Sequence, residues 1–442
     1  MGRRFYAITY DSVAMNCRKQ DALPVMRGKG TGMRSAVRAV LWAALVVPGL
    51  RAEEGPDPAV PVEQEAAAPT PAPGIEYIPL RGLAFRTPDK LFELAVGFNL
   101  QLRFTRFEFD RVPSALEDSN EFRVRRFKLY FTGYGFDPKL TYRVQLAFEN
   151  VNNTKLLLDD AWINYKFMDE ISAQMGQSKT PYSRDELYND GVIQFQERAL
   201  AVEAFKPGRD AGAGVLGSLF KGQLTYMAGV FNGEGQSTLR ASDHVMPMVR
   251  LVANPVGQMG IGEADLEGRK TPALSFGVDG FTNTLRKTTD VLFESVTPNY
   301  ASPTGWLGRN IGLFTTGEDI FIESASTDVQ FKWMGISAQA EYFFGHAEGD
   351  TSGVRVRANG WYGQAGYMVI PQKVDVAVRY SVVDYNQGAP HNENSIVTAA
   401  TDWYIKRNNV KLQFDYSRTH RQRATGDPAN DQLFRFQVQL ML

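Results

Sequence analysis

The chain contains almost no cysteine and no long apolar segment. Its 442 residues include one cysteine, Cys17. A helical membrane protein would show several runs of about 18 or more apolar residues, and the sequence has none. Helical membrane domains and scaffolds of disulfides or zinc thiolates are therefore excluded. The chain has a high aromatic content, 12%, but a negative mean hydropathy of −0.28. This combination is typical of a chain that faces lipid with only every second residue.

The longest apolar run lies near the N-terminus and has the pattern of a secretory signal. It begins at Met33 with a basic stretch, followed by about twelve mostly apolar residues over 39–50. That length is too short to span a bilayer, and Ala52 is a plausible cleavage point. We therefore predict that residues 1–52 are a leader and that Cys17 is removed with it.

Removal of this leader would leave an acidic chain. The leader holds nine of the 48 Lys and Arg residues and two of the 49 Asp and Glu residues, so the remainder has a net charge of −8. Nucleic-acid binding requires a basic footprint. We expect no nucleic-acid partner.

A proline-rich segment follows the predicted leader. Residues 53–74 contain six prolines among Ala and Glu, and they show no hydrophobic pattern that would build a core. We predict a Pro/Ala-rich periplasmic linker over residues 53–84. The folded domain is then expected over residues 85–442.

Residue spacing reveals neither a metal site nor a catalytic site. The histidines have no partner at ligand spacing; they are His244, His346, His391 and His420. Ser183 and Ser218 lack a recognisable histidine and carboxylate context for a nucleophilic triad. The glycine-rich segment 214–222 lacks the residue order of a phosphate-binding loop. We expect no enzyme, no metal and no cofactor.

From residue 91 onward, apolar residues occupy alternate positions. In the first such segment, Leu94, Leu100 and Leu102 share one face, whereas Gln101 and Arg103 share the other. Segments of this kind recur about sixteen times. They lie at residues 91–107, 122–134, 139–149, 156–167, 170–178, 212–220, 222–232, 247–254, 273–283, 319–333, 336–347, 355–369, 373–384, 395–406, 409–421 and 431–442. The alternation slips near Arg125–Arg126 and near Ala358–Trp361, where we expect β-bulges.

The connections between these segments alternate between short and long. Short ones include 135–138 and 334–335; long ones include 179–211 and 284–318. Only 255–272 is long where a short one is due. Short periplasmic turns alternating with long external loops, and an even strand number, are typical of outer-membrane barrels. We predict an all-β fold, a transmembrane antiparallel β-barrel of about 16 strands. A periplasmic β-sandwich is the soluble alternative, but strands longer than ten residues and outward aromatics near strand ends favour the barrel.

Two stretches resemble the phosphate-selective porin O and P family. One is "FRVRRFKLYFTGYGF", with an Arg-rich start, an alternating strand and a glycine turn. The other is "MGQSKTPYSRDELYNDGVIQFQERAL", in which Tyr182 stands where the family usually has Phe. The resemblance implies a bacterial outer-membrane barrel of sixteen strands, usually a homotrimer. It also implies an inward-folded third external loop, which corresponds here to residues 179–211.

If the apolar face contacts lipid, the other face lines the barrel interior. On the first three strands and the last strand, the inward cations are Arg103, Arg126, Lys128, Arg143 and Arg435. Neighbouring strands lie about 4.8 Å apart, so we expect a continuous basic wall. Such a wall would concentrate anions, because Arg and Lys bind phosphate and carboxylate oxygens.

The third loop would add Lys179, Arg184 and Arg198 at a constriction. Its segment 183–190 carries more negative than positive charge, which opposes tight phosphate selectivity. Alternatively, the lumen charges pair with one another and hold the barrel rigid. The available carboxylates are Asp160, Asp185, Glu186, Glu197 and Asp415.

Together these features predict an outer-membrane porin for passive diffusion of small hydrophilic solutes, with a preference for anions such as phosphate. Its partners would be these solutes, outer-membrane lipids and further copies of the chain. Three alternatives stay open: a general or carboxylate-preferring porin, an outer-membrane barrel enzyme such as a lipase, and a plugged structural barrel.

Overall fold

The structure is a computed structural model that describes residues 74–110, 117–151, 153–238, 243–288, 298–422 and 428–442. The predicted leader and the predicted linker up to residue 73 lie outside the described residues.

Eighteen β-strands and two short α-helices are formed by the described residues. The strands are β1 (Gly74–Ile78), β2 (Gly82–Arg86), β3 (Phe92–Glu108), β4 (Ser119–Gly135), β5 (Asp137–Val151), β6 (Asn153–Met168), β7 (Ile171–Lys179), β8 (Arg209–Leu219), β9 (Leu224–Phe231), β10 (Met246–Val256), β11 (Ala273–Arg286), β12 (Asp319–Trp333), β13 (Ile336–Gly349), β14 (Arg355–Ile370), β15 (Val374–Asp384), β16 (Glu393–Lys406), β17 (Val410–Arg421) and β18 (Ala429–Met441). The α-helices are α1 (Arg184–Leu187) and α2 (Leu200–Phe205), and 3-10 helices lie at Phe220–Gly222, Asn299–Ala301 and Gly308–Leu313. Among the described residues, no helix has the length and apolar character needed to cross a membrane.

Sixteen of the strands, β3 to β18, form one closed antiparallel barrel. Each pairs with its sequence neighbours, and β18 closes against β3 from Gln432 opposite Glu108 to Met441 opposite Asn99. Closure leaves no unpaired strand edge, which lipid could not satisfy. The prediction of an all-β barrel of about sixteen strands is confirmed.

The alternation in the sequence corresponds to the two faces of the barrel wall. On β3, Leu94 and Leu102 are 40% and 45% exposed on the outside, whereas Gln101 and Arg103 are almost fully buried on the inside. The last strand follows the same rule, with Phe436 and Leu440 outward and Gln437 inward, opposite Arg103. Lipid is the solvent for the outer face, which explains why large apolar side chains remain exposed there.

Two β-bulges turn an additional charged residue into the lumen. On β4, Arg126 lies opposite Gln101 and Val124 lies opposite Leu102, so Arg125 is the inserted residue. On β6, the inserted residue is Asp159, between Asp160 and Leu158. A bulge shifts the alternation by one residue and re-aims the side chain at that point. The bulge predicted near Arg125 is confirmed.

The second predicted bulge, near Ala358–Trp361, is wrong. Pairing of β14 with β13 runs without interruption from Arg355 to Tyr367. Ala358 faces inward although it is apolar, because the barrel interior at this level is filled by apolar side chains rather than water. The sequence alternation slips there because the inward residues Val356 and Ala358 are apolar, whereas the outward residues Arg357 and Asn359 are polar.

The N-terminal strands β1 and β2 form a hairpin that extends the wall. β2 pairs with the first residues of β3, from Leu83 opposite Val96 to Arg86 opposite Glu93. β18 pairs with the same edge of β3, beginning at Asn99. Residues 74–84 thus differ from the extended linker expected there, since the alternation of "GLAFR" is enough to add a short strand.

An apolar cluster fills part of the barrel near the long connections. Residues 180–208 and 298–314 pack there against inward side chains of β9 to β15. The ring of Phe205 on α2 stacks on Trp306 with centroids 6.1 Å apart and on Phe343 at 5.6 Å. The lumen beside β9 to β15 is therefore closed at this level by a packed core.

The connection 257–272 enters the barrel from the opposite, short-turn end. Its carbonyl groups at Met259 and Gly262 accept hydrogen bonds from the buried Nζ of Lys332. Asp265 accepts the backbone N–H of Gly335 at 2.8 Å. Its unusual length, noted in the sequence, serves to occupy the mouth of the barrel.

Candidate pore lining and constriction

Three arginines of the barrel wall converge on Glu197. Nε of Arg125 lies 2.6 Å from the carboxylate and Nη2 of Arg126 lies 2.9 Å from it, while Arg103 donates from Nη1. Burial alone would raise the pKa of Glu197, but the three guanidinium groups hold that pKa well below its usual range. One ionised carboxylate therefore faces three positive charges.

A second link joins the wall to the connection 180–208 through Asp190. Nζ of Lys128 lies 2.8 Å from this carboxylate, and Nη1 of Arg198 lies 2.6 Å from it. Burial opposes ionisation, but Lys128 and Arg198 lower the pKa of Asp190 well below its ordinary value. Lys128 also contacts Asp159, the bulge residue of β6, at 3.0 Å. The connection is thus held by buried ion pairs.

The remaining members of the predicted wall have carboxylates of their own. Arg143 contacts Asp160 at 3.0 Å, and Arg435 contacts Asp415 at 2.6 Å. All five predicted wall cations have a carboxylate partner within 3.0 Å. The structure therefore brings Arg103 and Arg126 together on Glu197 and distributes the other three over separate partners.

The cations predicted on the third loop hold that connection in place. Nζ of Lys179 donates to the backbone carbonyls of Glu186 and Tyr188. Arg184 reaches the far wall, where Nε lies 2.6 Å from Asp328 of β12. Arg198 stays within the connection, between Asp190 and Glu186. Lys179 and Arg198 lie together, because Nη2 of Arg198 donates to the same carbonyls of Glu186 and Tyr188, whereas Arg184 lies apart at the far wall.

A cavity of about 290 Å³ remains open beside the wall of β3 to β9. We call it the lumen cavity. It is lined by Lys128, Arg143, Asp160, Arg209, Trp162 and Met227, with further polar residues and Leu187 of the inward connection. Inward glycines such as Gly176 and Gly212 leave no room for a side chain, since a Cβ there would lie within 2.4 Å of the neighbouring strand. Cations and apolar side chains meet in this space.

Several lumen residues were missed by the sequence analysis. Arg125 and Asp159 face inward only because of the bulges. Two adjacent aspartates within an alternating strand were the available signal for the second bulge. Arg209 begins β8 three residues earlier than the predicted strand and so was assigned to the loop. Among the described residues, no group of His, Cys, Asp and Glu is arranged to hold a metal ion.

A closed sixteen-strand barrel with an apolar outer face and an ionised interior defines a porin of the bacterial outer membrane. Residues 94–442 match the family described as phosphate-selective porin O and P, and the chain belongs to this family. No match was found among curated proteins.

Solved porin structures share this fold at very low sequence identity. The outer membrane channel DcaP of Acinetobacter baumannii is 10% identical, with a TM-score of 0.55 over 79% of this chain and 97% of that one. An anion-selective porin from Comamonas acidovorans is 8% identical, with a TM-score of 0.54 over 79% and 100%. A trimer form of OmpT from Vibrio cholerae is 10% identical, with a TM-score of 0.51 over 79% and 99%. Identities this low establish the fold alone.

Proposed function

We propose that this porin lets small hydrophilic solutes diffuse passively and favours anions such as phosphate or similar oxyanions. The observation that carries the proposal is the grouping of Arg103, Arg125 and Arg126 around one carboxylate, Glu197. The local excess of positive charge borders the inward connection. A low-dielectric wall focuses such a potential and raises the local concentration of anions.

The proposed path runs beside β3 to β9, because the apolar cluster occupies the other side at the level of the long connections. Arg103, Arg126, Lys128, Arg143 and Arg435 would act along this path mainly through their field, since each already has a carboxylate partner. Lys179, Arg184 and Arg198 would act by fixing the constriction. Weak, field-based attraction suits permeation, because a solute that binds too tightly does not leave.

The test is the reversal potential of the purified protein in planar bilayers across a potassium chloride gradient. We expect anion selectivity in the wild type and a shift toward cations in Arg103→Glu and Lys128→Glu. The exposed Lys139→Glu, in the turn region of β5, is the matched control and should leave the potential unchanged. A cation-selective wild-type channel would contradict the proposal.

A general porin without charge preference is the second candidate. The pairing of every predicted wall cation favours it, because paired charges contribute little net field. It predicts a reversal potential near zero and equal permeation of neutral and anionic solutes of one size.

We further propose a channel without catalytic activity that assembles as a homotrimer among outer-membrane lipids. The fold shared with the trimeric OmpT structure supports assembly of this kind. Chemical cross-linking in detergent would show a trimer. Absence of conductance would favour a plugged barrel, and hydrolysis dependent on one serine would favour an enzyme.

A further inference from the structure

Both apolar and charged side chains line the lumen cavity. Its apolar residues are Trp162 and Met227 on the wall and Leu187 on the inward connection, and all three are partly accessible. Its charged residues include Arg143 and Arg209, whose side chains are 21% and 12% exposed, together with Lys128, Lys179, Asp160 and Asp190. An inorganic oxyanion would find partners only among the charged and polar residues.

We propose that the lumen cavity binds a small aromatic carboxylate, with the carboxylate on Arg143 and Arg209 and the ring against Trp162 and Met227. This inference deepens the proposed anion preference and rests on it. It names the class of solute that the cavity selects.

The two arginines are positioned to receive a carboxylate. Nε of Arg143 lies 3.0 Å from Oδ2 of Asp160, and Nε of Arg209 lies 2.8 Å from Oδ1 of the same carboxylate. Nη2 of Arg143 also donates to Gln145, and Nη2 of Arg209 lies 3.4 Å from Asp159, so two contacts fix each guanidinium plane. Nη1 of each arginine has no hydrogen-bond partner among the described residues, so both planes keep a donor. Planar guanidinium donors bind carboxylates with defined geometry.

The apolar residues of the lumen cavity supply the contact for the ring. Trp162 lies opposite Gly176, so the β7 residue directly across from the indole has no side chain to cover it. The volume of the lumen cavity suits a small organic molecule, because about 290 Å³ is close to the lower limit of roughly 300 Å³ for small-molecule pockets. A phosphate ion there would lose hydration beside Trp162 and Leu187 without replacing it.

The experiment compares half-blocking concentrations of benzoate, acetate and phosphate for the chloride current of the purified protein in planar bilayers. We expect benzoate to block at a concentration about fivefold lower than acetate, the factor that a single ring contact supplies. Trp162→Ala should bring this ratio close to one, and Trp162→Phe should keep most of it. Trp403→Ala, which changes an outward Trp on β16, should leave the ratio unchanged.

Folding of each variant is checked by its heat-dependent electrophoretic mobility. If Trp162→Ala does not fold, Met227→Ser tests the same ring contact from another strand and should lower the ratio. An anion-selective wild type that is blocked equally by benzoate and acetate overturns this inference alone. Full retention of the ratio in folded Trp162→Ala overturns it as well. A cation-selective channel overturns the proposed function, and this inference with it.

Discussion

The buried carboxylate of Glu263 accepts a hydrogen bond from the backbone N–H of Gln194 at 2.7 Å. Glu263 belongs to the connection 257–272, which enters from the short-turn end of the barrel, whereas Gln194 belongs to the connection 180–208. The N–H of Glu263 also donates to the carbonyl of Val192 at 3.2 Å. The connection 257–272 therefore supports the connection 180–208 from the other side of the lumen.

This contact predicts a pH-dependent stability. Burial, followed by the negative charge of Asp185, raises the pKa of Glu263 from 4.5 to about 7. A carboxyl whose folded-state pKa is raised holds its proton more tightly in the folded protein, so its contribution to stability falls as pH rises from about 4.5 to about 7. Glu263→Gln cannot ionise and keeps an acceptor for Gln194. We expect it to unfold at a higher temperature than the wild type at pH 8, and at a similar temperature at pH 4.

The difference in unfolding free energy at pH 8 should be at most about 3 kcal/mol. Thermal unfolding in detergent micelles at pH 4, 6 and 8 measures it. Glu267→Gln is the matched control, because Glu267 lies on the same connection but is exposed and paired with Arg407. A stabilisation by Glu263→Gln that is independent of pH would contradict this account of the carboxyl.

Trp306→Ala tests whether the apolar cluster limits conductance. The indole is fully buried and stacks on Phe205, so its loss should cost about 3–5 kcal/mol of packing. The strand ladders are not touched, so the barrel should still form. We expect larger and noisier single-channel currents than in Trp361→Ala, the control on the outer face of β14. Equal currents in both variants would mean that the cluster does not border the path.

Asp190→Asn should loosen the inward connection. The substitution leaves Lys128 and Arg198 buried with one carboxylate fewer, and breaking a buried pair costs about 3–5 kcal/mol. Proteolysis within residues 180–208 should become faster, and anion selectivity should rise because a negative charge is lost. Asp169→Asn, in an exposed pair with Lys166, is the control. Unchanged proteolysis would show that the other contacts of the connection suffice.

The barrel could be predicted because lipid imposes one rule on every strand. Outward residues such as Leu102 and Phe436 must be apolar, so strand number and wall direction follow from the alternation alone. Register is set in the same way, since a slip of one residue would turn Arg103 toward lipid.

The lumen could not be predicted to the same depth. Inward residues do not share one environment: Arg103 contacts the carboxylate of Glu197, whereas Ala358 packs in the apolar cluster. The partners come from distant connections, as Glu197 and Asp190 do, and alternation carries no information about them. The inward direction of Arg125 was not predicted because it depends on the single residue inserted by the bulge in β4.

Arg125→Glu is the sharpest test of phosphate recognition by the Glu197 cluster. The Arg125 side chain is 23% exposed, against 1% for Arg103 and 6% for Arg126, so it is the member of this cluster that a passing anion meets first. A carboxylate at this position would lie beside Glu197 and change the local charge by two units. We expect phosphate to block the chloride current of the wild type and to lose most of that effect in the variant. Arg355→Glu, at an exposed end of β14, is the matched control and should be blocked like the wild type. Equal block of all three proteins would exclude the Glu197 cluster as the phosphate-sensing part of the lumen.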